Sequence, residues 1–507
     1  MASKLHVSVV SSQKSASISN SEKLRDKRRV AKMQTSARAQ AQAAEVTTPK
    51  ESSRTSKLPE LMTSSVVSSK RPFFLERSLQ VQKTQPNSAG KFGKFGGKFV
   101  CETLIACLDQ LEAEFAEVLR DEHFQEELAE ALRDYVGRET PLYHARRLTE
   151  FYKSKNRGEG AEIFLKREDL CHGGSHKMNN AIAQAMIAKR IGRKLVVTAT
   201  ASGHHGIAAA SACAKLGLDC KIFMAAKDME QQQSNVQLIN LLGAQVEGVD
   251  GQFKDAASEA LRSWVGKVEE SYHMMGTAVG PHPCPTMVRH FQSVIGRETR
   301  RQALEKWGGK PDALVACVGT GSNALGLFHE FIGDSEVRLV GVEAGGFGLQ
   351  SGRHASTLSK GEVGVYHGAM TYLLQDGDGQ TIEPYSVAVG MQYPAVGPEL
   401  SFLKEIGRAE FYSVTNREAL DAYERVCRLE GIYASLEASH AFGILEKLFP
   451  TLPKGGNVVV NCGARGDEDV DIVYKNKLFD GARKRTMAQQ QAELQEREDV
   501  CLTLKYM

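Results

Sequence analysis

The chain has 507 residues, 42% of them hydrophobic and 25% charged, and a formal net charge of +3. That length can bury more than one core, the small charge excludes a dedicated nucleic-acid surface, and no run approaches the roughly 18 apolar residues of a membrane span. The ten cysteines include no Cys-x-x-Cys pair, and the only His-x-x-x-His spacing, His172 and His176, falls among glycines; this points to reduced thiols and no metal centre.

Residues 1–45 are rich in Ser, Ala, Lys and Arg, with Glu22 and Asp26 the only acids before Glu45. Without the apolar centre of a secretory signal, they read as an organelle transit peptide, the alternative being a disordered basic tail. Residues 46–85 continue as a polar linker, and the folded core is expected over 86–482. Its entry, Phe92–Val100, is punctuated by glycines. Leu104, Ile105, Leu108, Leu111, Phe115, Val118 and Leu119 then recur at helical spacing, and a second helix is predicted from Phe124 to Tyr135. Short apolar runs follow at 163–165, 195–198, 221–224, 313–318, 337–342 and 458–460, separated by helical segments. Such alternation predicts an α/β fold of two doubly wound, mainly parallel-sheet domains, about 140–290 and 300–475, with a cleft between them. Residues 483–507 read as a polar helical tail.

Two segments carry chemistry. The first, Lys166–Asn180, is a turn-rich loop that delivers Lys177 to the start of an apolar helix; a lysine amine can hold an aldehyde cofactor as an imine. The second, Val318-Gly319-Thr320-Gly321-Ser322-Asn323-Ala324, follows a strand and opens a helix running to Phe331. Alone it is a tight turn. Between strand and helix, its glycines leave backbone N–H groups free to surround a phosphate, with Ser322 and Asn323 as further donors. It lacks the third glycine and the acid of a dinucleotide site. A phosphate cup with a loop lysine suggests pyridoxal 5'-phosphate.

These segments, with Phe92–Phe99, Gly280-Pro281-His282-Pro283, Leu304–Asp312, Ser351–Gly368 and Arg465-Gly466-Asp467, closely resemble the β subunit of tryptophan synthase in its plant plastid form, over about residues 90–475. The resemblance implies a fold-type II pyridoxal-phosphate lyase in the plastid stroma, acting on an amino acid. It also implies a homodimer, an α-type partner subunit and a monovalent cation held by backbone carbonyls. By the same resemblance Lys177 carries the cofactor, His176 packs against its phosphate, Gly319, Thr320, Gly321, Ser322 and Asn323 form the cup, and Glu437 lies beside the ring. Thr320 replaces a usual glycine.

The departures are as informative. Where the family has Glu-Thr-Gly-Ala-Gly-Gln-His, with the glutamate as its acid/base group, this chain reads Ala199-Thr200-Ala201-Ser202-Gly203-His204-His205. Ala199 cannot move a proton, a function typically worth about 10²–10⁴ in rate. Backbone N–H groups from Thr200 to His205 can still hold a substrate carboxylate, and His204 is a candidate for the lost proton transfer, the alternative being a hydrogen-bonded bystander. Gln392 replaces the aspartate that senses the serine hydroxyl. The serine that meets the pyridine nitrogen falls on Gly463 or, with a one-residue slip, on Cys462. Three readings follow: an altered pyridoxal-phosphate enzyme of the β-substitution type, a genuine tryptophan synthase β chain condensing L-serine with indole, and a non-catalytic regulatory homologue.

Overall fold

Strands and helices alternate through most of the computed structural model, which describes residues 85–476. The 1–45 segment, the 46–85 linker except its last residue and the 483–507 tail lie outside the described residues. The chain enters through a short hairpin, β1 (Lys91–Phe92) and β2 (Phe95–Gly96), and then forms β3 (Leu142–His144), β4 (Glu162–Lys166), β5 (Leu195–Thr200), β6 (Asp219–Ala225), β7 (Gln245–Val249) and β8 (Ser271–His273). The second half adds β9 (Ala313–Cys317), β10 (Arg338–Gly346), β11 (Glu362–Tyr366), β12 (Ala369–Leu373), β13 (Glu410–Thr415) and β14 (Asn457–Asn461).

These strands form three sheets. The largest runs β13-β10-β9-β14-β4-β3, parallel throughout except for the antiparallel edge strand β3. A second, β7-β6-β5-β8, is wholly parallel, and a third, β1-β2-β12-β11, is made of antiparallel hairpins. The expected mainly parallel α/β architecture is what the chain adopts. Every residue of β9 is buried, as a central parallel strand covered on both faces requires. Sheet membership crosses the two blocks read from the sequence: β3 and β4, from within 140–290, pair into the large sheet through β14, so the chain leaves that sheet, builds the smaller one over 195–273, and returns.

Five helices place the residues of interest: α1 (Glu102–Val118), α2 (Lys177–Arg190), α3 (His204–Leu216), α4 (Ser322–Phe328) and α5 (Leu436–Gly443). In α1 the buried residues Leu104, Leu108, Leu111, Phe115 and Val118 form the expected stripe. The second predicted helix is α-helical only over Glu122–Glu130, capped by the Asp121 carboxylate, and continues as a π-helical turn over Ala131–Val136. The helix expected to reach Phe331 is α-helical to Phe328 and ends in a tighter 3₁₀ turn, His329–Phe331. Helices α2 and α3 are buried on nearly all sides, and their alanines let the two axes approach closely in one shared core.

Loops leaving the C-terminal ends of β4, β5, β9 and β14 lead to Lys177, to α3, to α4 and to Gly463 respectively. In a parallel sheet that is where a crevice opens. Gly203 and Gly321 precede α3 and α4 with φ of 101° and 97°, so each strand turns sharply enough to aim a helix N-terminus into the crevice. Neither accepts a side chain: a Cβ on Gly321 would lie 2.1 Å from Leu400 Cδ1, and one on Gly203 2.6 Å from Asn235 Cβ.

Candidate functional site

The crevice is a cleft of about 750 Å³, open solvent at its mouth included, walled by residues from all four of those loops and from α5. Lys177 enters from the first turn of α2. Its Nζ donates to the Gly276 carbonyl at 2.7 Å and to Ser322 Oγ at 3.1 Å. The residue keeps some accessible surface because it faces the cleft, yet the surrounding protein desolvates the amine. Burial is the largest influence and lowers its pKa to about 8, against smaller opposing effects of Cys317 and Glu437. A lysine in that state is in part a neutral nucleophile near neutral pH.

His176 fixes the far side of Ser322. Its Nδ1 donates to the Gly463 carbonyl at 2.9 Å, and Nε2 lies 3.2 Å from Ser322 Oγ. Burial, then the nearby Lys177 charge, pushes this imidazole down to about 3, so it is neutral and Nε2 accepts the Ser322 hydroxyl proton. Ser322 therefore accepts from Lys177 and donates to His176. Across the same turn the backbone N–H groups of Gly319, Thr320, Gly321, Ser322 and Asn323 have no acceptor among the described residues. Asn323 is held by donating to the Cys317 carbonyl at 2.8 Å and by accepting from Asn461 Nδ2 at 3.1 Å. These N–H groups converge at the N-terminus of α4, the electropositive end.

A second set of free donors lies after β5. The N–H groups of Ala201, Ser202, Gly203, His204 and His205 likewise lack acceptors, while Thr200 Oγ1 accepts from Gly206 N. Thr200, Ala201, Ser202, His204 and His205 all line the cleft. The two histidines differ in state. Thr198 Oγ1 donates to the Met274 carbonyl at 2.7 Å, so His205 Nε2 must be the donor to Thr198 at 2.9 Å. Burial, then Lys177, lowers His205 to about 3. His204 Nε2 instead faces Glu468 Oε1 at 2.7 Å and the Arg465 carbonyl at 3.2 Å, while Nδ1 meets Ser202 Oγ at 2.9 Å. The Nε2–H bond is directed at the carbonyl, and the carboxylate acts as a close counter-charge. Burial opposes the His204 charge, but Glu468 outweighs it, helped by Glu437 and Asp469, and holds the pKa at about 9.

Ala199 lines the cleft and packs in the apolar cluster of Phe253 and Tyr393. Gln392 is not one of the cleft's walls; its Nε2 donates to the Ser386 carbonyl at 2.7 Å, and its neighbours Gly390 and Met391 face the cavity instead. Of the two positions weighed for the missing serine, Gly463 lines the cleft, whereas the buried Cys462 does not and its thiol lies by Asp169. Glu437, in the first turn of α5, accepts from Gly390 N at 3.0 Å through Oε1, and its buried Oε2 has no partner among the described residues.

Sequence reasoning missed four contributors. The Gly276 carbonyl holds the lysine, Cys317 lines the cleft with a thiol pushed up to about 12 by burial, Phe253 closes one wall, and Glu468 holds His204. Cys317 ends a strand read correctly, so side-chain alternation along it was the available signal. The others had none. An adjoining cavity of about 350 Å³ shares Ala199, Phe253, Gly276 and Thr277 with the cleft and reaches His273, His367 and Tyr393. It is uncharged: burial lowers His273 and His367 to about 4, and Tyr393 OH lies 2.6 Å from His367 Nδ1.

A family model described as "Pyridoxal-phosphate dependent enzyme" matches residues 134–463. Among solved structures, the chain is similar to a fungal L-serine ammonia-lyase from Rhizomucor miehei at 18% identity, with a TM-score of 0.51 over 66% of this chain and 97% of that one. It is also similar to a pyridoxal 5'-phosphate-dependent aspartate racemase at 17% identity, with a TM-score of 0.53 over 68% of this chain and 95% of that one. At such identities the likeness carries the fold alone.

Proposed function

This chain belongs to the pyridoxal-phosphate dependent enzymes, and from that premise we propose that it is a lyase of the β-elimination or β-replacement type acting on a free amino acid. The observation that carries the reading is the setting of Lys177: a desolvated amine bonded to Ser322 Oγ in a cleft walled by two separate sets of backbone N–H groups, at 319–323 and at 201–205, that have no acceptor among the described residues. One set suits the cofactor's phosphate, the other an amino-acid carboxylate, and the lysine opens into the same cleft.

The walls suit the cofactor in two further ways. Glu437 Oε2 is a buried acceptor without a partner, and Gly463 leaves open space where a Cβ would have only ordinary contacts, 3.6 Å from His176 Nδ1. Lys177 would hold the cofactor, with His176 and the 319–323 turn at its phosphate. When bound, pyridoxal phosphate supplies an electron sink for bonds at the amino acid's Cα. The chain supplies the rest. The N–H groups of 201–205 bind and orient the carboxylate, Lys177 Nζ takes the Cα proton, and the Phe253 wall excludes water.

Descent from a tryptophan synthase β chain with an altered reaction is supported by the long shared motifs together with the altered wall. Ala199 contributes only a methyl group there, and Gln392 turns its amide to Ser386.

Absorbance spectroscopy of the purified protein during a screen of amino acids, with and without indole, tests the reading. A visible cofactor band that Lys177→Ala removes, and that changes with one or more amino acids, is the expected result. No band in the wild type, with Lys177→Ala silent in vivo, sinks it. Rescue of a tryptophan-requiring bacterium on indole would instead restore the unaltered tryptophan synthase reading.

A further inference from the structure

A leaving hydroxyl needs a proton, and most polar groups of the cleft are already committed. Ser322 accepts from Lys177 and donates to His176. His205 donates its one proton to Thr198. Glu437 is tied to Gly390 N through Oε1. Ser202 is different. It is 8% exposed, lines the cleft, and its Oγ has one partner, His204 Nδ1 at 2.9 Å.

The state of His204 decides what Ser202 does. Both neighbours of Nε2, the Glu468 carboxylate and the Arg465 carbonyl, are acceptors only, so Nε2 carries a proton. The acids acting on the ring are Glu468, the largest, then Glu437 and Asp469, although burial holds Asp469 itself well above the usual carboxylate range; neutral His176 stands near and Arg465 acts on Glu468, so the Glu468 charge at 2.7 Å decides the state of the ring. With Nδ1 protonated as well, Ser202 Oγ must accept from it. The serine's own O–H is then left without an acceptor among the described residues, at the cleft wall, polarised by a charged imidazole behind it.

Resting on the proposed β-elimination chemistry, we infer that Ser202 hands a proton to the oxygen leaving the substrate's β-carbon and that His204, positioned by Glu468, replenishes it. Lys177 first removes the Cα proton, and that electron pair forms the Cα=Cβ bond as the Cβ–O bond breaks. The leaving pair on oxygen takes the Ser202 Oγ–H proton, and water departs. The His204 Nδ1 proton moves to Ser202 Oγ, leaving a neutral imidazole that still donates from Nε2. In a replacement reaction the incoming nucleophile returns its proton by the reverse route; in an elimination, solvent water does.

The test compares L-serine, whose hydroxide must be protonated, with β-chloro-L-alanine, whose chloride leaves unaided, in the cofactor-loaded enzyme. Ser202→Ala should lower kcat on L-serine by about 10²-fold or more, with far less effect on β-chloro-L-alanine and little change in KM, and Ser202→Thr should restore most of the loss. The alkaline limb of kcat on L-serine should follow the His204 proton, near pH 9 in the wild type. Independently, nitrogen-15 histidine NMR of the cofactor-free protein should show both His204 nitrogens protonated at neutral pH, and only one in Glu468→Gln. A neutral wild-type His204 overturns the inference. So does an equal loss on both substrates, or a loss confined to KM, which would make Ser202 a carboxylate clamp and leave the proposed function standing. Wild-type enzyme inert toward both substrates would sink the proposed function, and the inference with it.

Discussion

Replacing Glu468 by glutamine removes the counter-charge of His204 while keeping the size of the side chain. The pair is buried, with both side chains 8% exposed, so solvent screens it little. Folding raises the His204 pKa from 6.5 to about 9. A raised folded pKa means that the stabilisation is fully present below pH 6.5 and lost as pH rises through 9. At about 1.4 kcal/mol per unit, the linkage amounts to about 3 kcal/mol in acid, about 2.5 near pH 7 and about 0.4 at pH 9. In Glu468→Gln burial dominates and His204 is neutral near pH 7, so that contribution disappears. Above pH 9 the wild type instead keeps a buried carboxylate beside a neutral ring, and the difference should close or reverse. Glu468 itself is held below its ordinary range by His204 despite burial, so the pair also weakens toward low pH as that carboxylate takes up a proton. The assay is the thermal midpoint of both proteins across this range. For a chain this long each kcal/mol moves Tm by about 2 °C or less, so the gap should be about 3–5 °C near pH 7 and under about 1 °C at pH 9. A gap that does not change with pH would refute the charged pair.

Gly463→Ser places a hydroxyl in the cleft, its Cβ no closer than 3.6 Å to His176 and 3.8 Å to Asn323; the thermal midpoint should stay within about 1 °C of wild type, with the visible cofactor band shifted. Gly321→Ala does the opposite: its Cβ would sit 2.1 Å from Leu400 Cδ1 at a φ of 97°, so it should cost about 1–3 kcal/mol and weaken cofactor uptake, read by thermal melting and cofactor titration. Arg138→Ala strips the guanidinium that bonds both Glu168 and Glu298 at 2.6–2.9 Å in the interior, leaving Glu298 bonded to Lys166 and Glu168 with neutral donors only, Thr140 and Asn179 among them. A loss of about 3–5 kcal/mol, seen as low soluble yield and an early thermal transition, is expected; wild-type melting would contradict that account.

The central strands were legible because each is an apolar run bounded by turn residues, and β4, β5, β6, β9, β10 and β14 all fall on such runs. The strands that escaped are those where burial imposes no such pattern. β7 is Gln-Val-Glu-Gly-Val at an edge, with every residue at least partly accessible, and β3 and β8 are three residues each. β11 has no buried residue, and β12 alternates strictly in burial but through Ala, Met, Thr, Tyr and Leu, residue types that do not themselves alternate between apolar and polar. Pairing is the harder question. That β4 lies beside β14, Glu162 opposite Asn457, is fixed by which faces remain to be covered once the whole chain is in place, and no local window contains it.

The site divides in the same way. Lys177 and the 319–323 turn could be read because each packs its chemistry into a few consecutive residues: a lysine opening a helix, and glycines between a strand and a helix. Glu468 could not, since it is one acid in Asp467-Glu468-Asp469 and its meeting with His204 depends on two loops closing over each other, Arg465 lying 261 positions from the histidine whose ring it faces. This matters for how the altered residues are weighed. Taken singly, Ala199 is a methyl group, Ser202 a small polar side chain and His204 a bystander. In the folded chain Ser202, His204 and Glu468 form one hydrogen-bonded and charge-paired line that begins at the cleft wall and ends on a buried carboxylate. Burial alone would neutralise an imidazole placed there. The carboxylate that prevents this, Glu468, lies on the segment that also supplies Gly463 to the cleft, and the Gly463 carbonyl accepts from His176, the neighbour of Lys177. Changes at Glu468 should therefore be felt at the cleft wall.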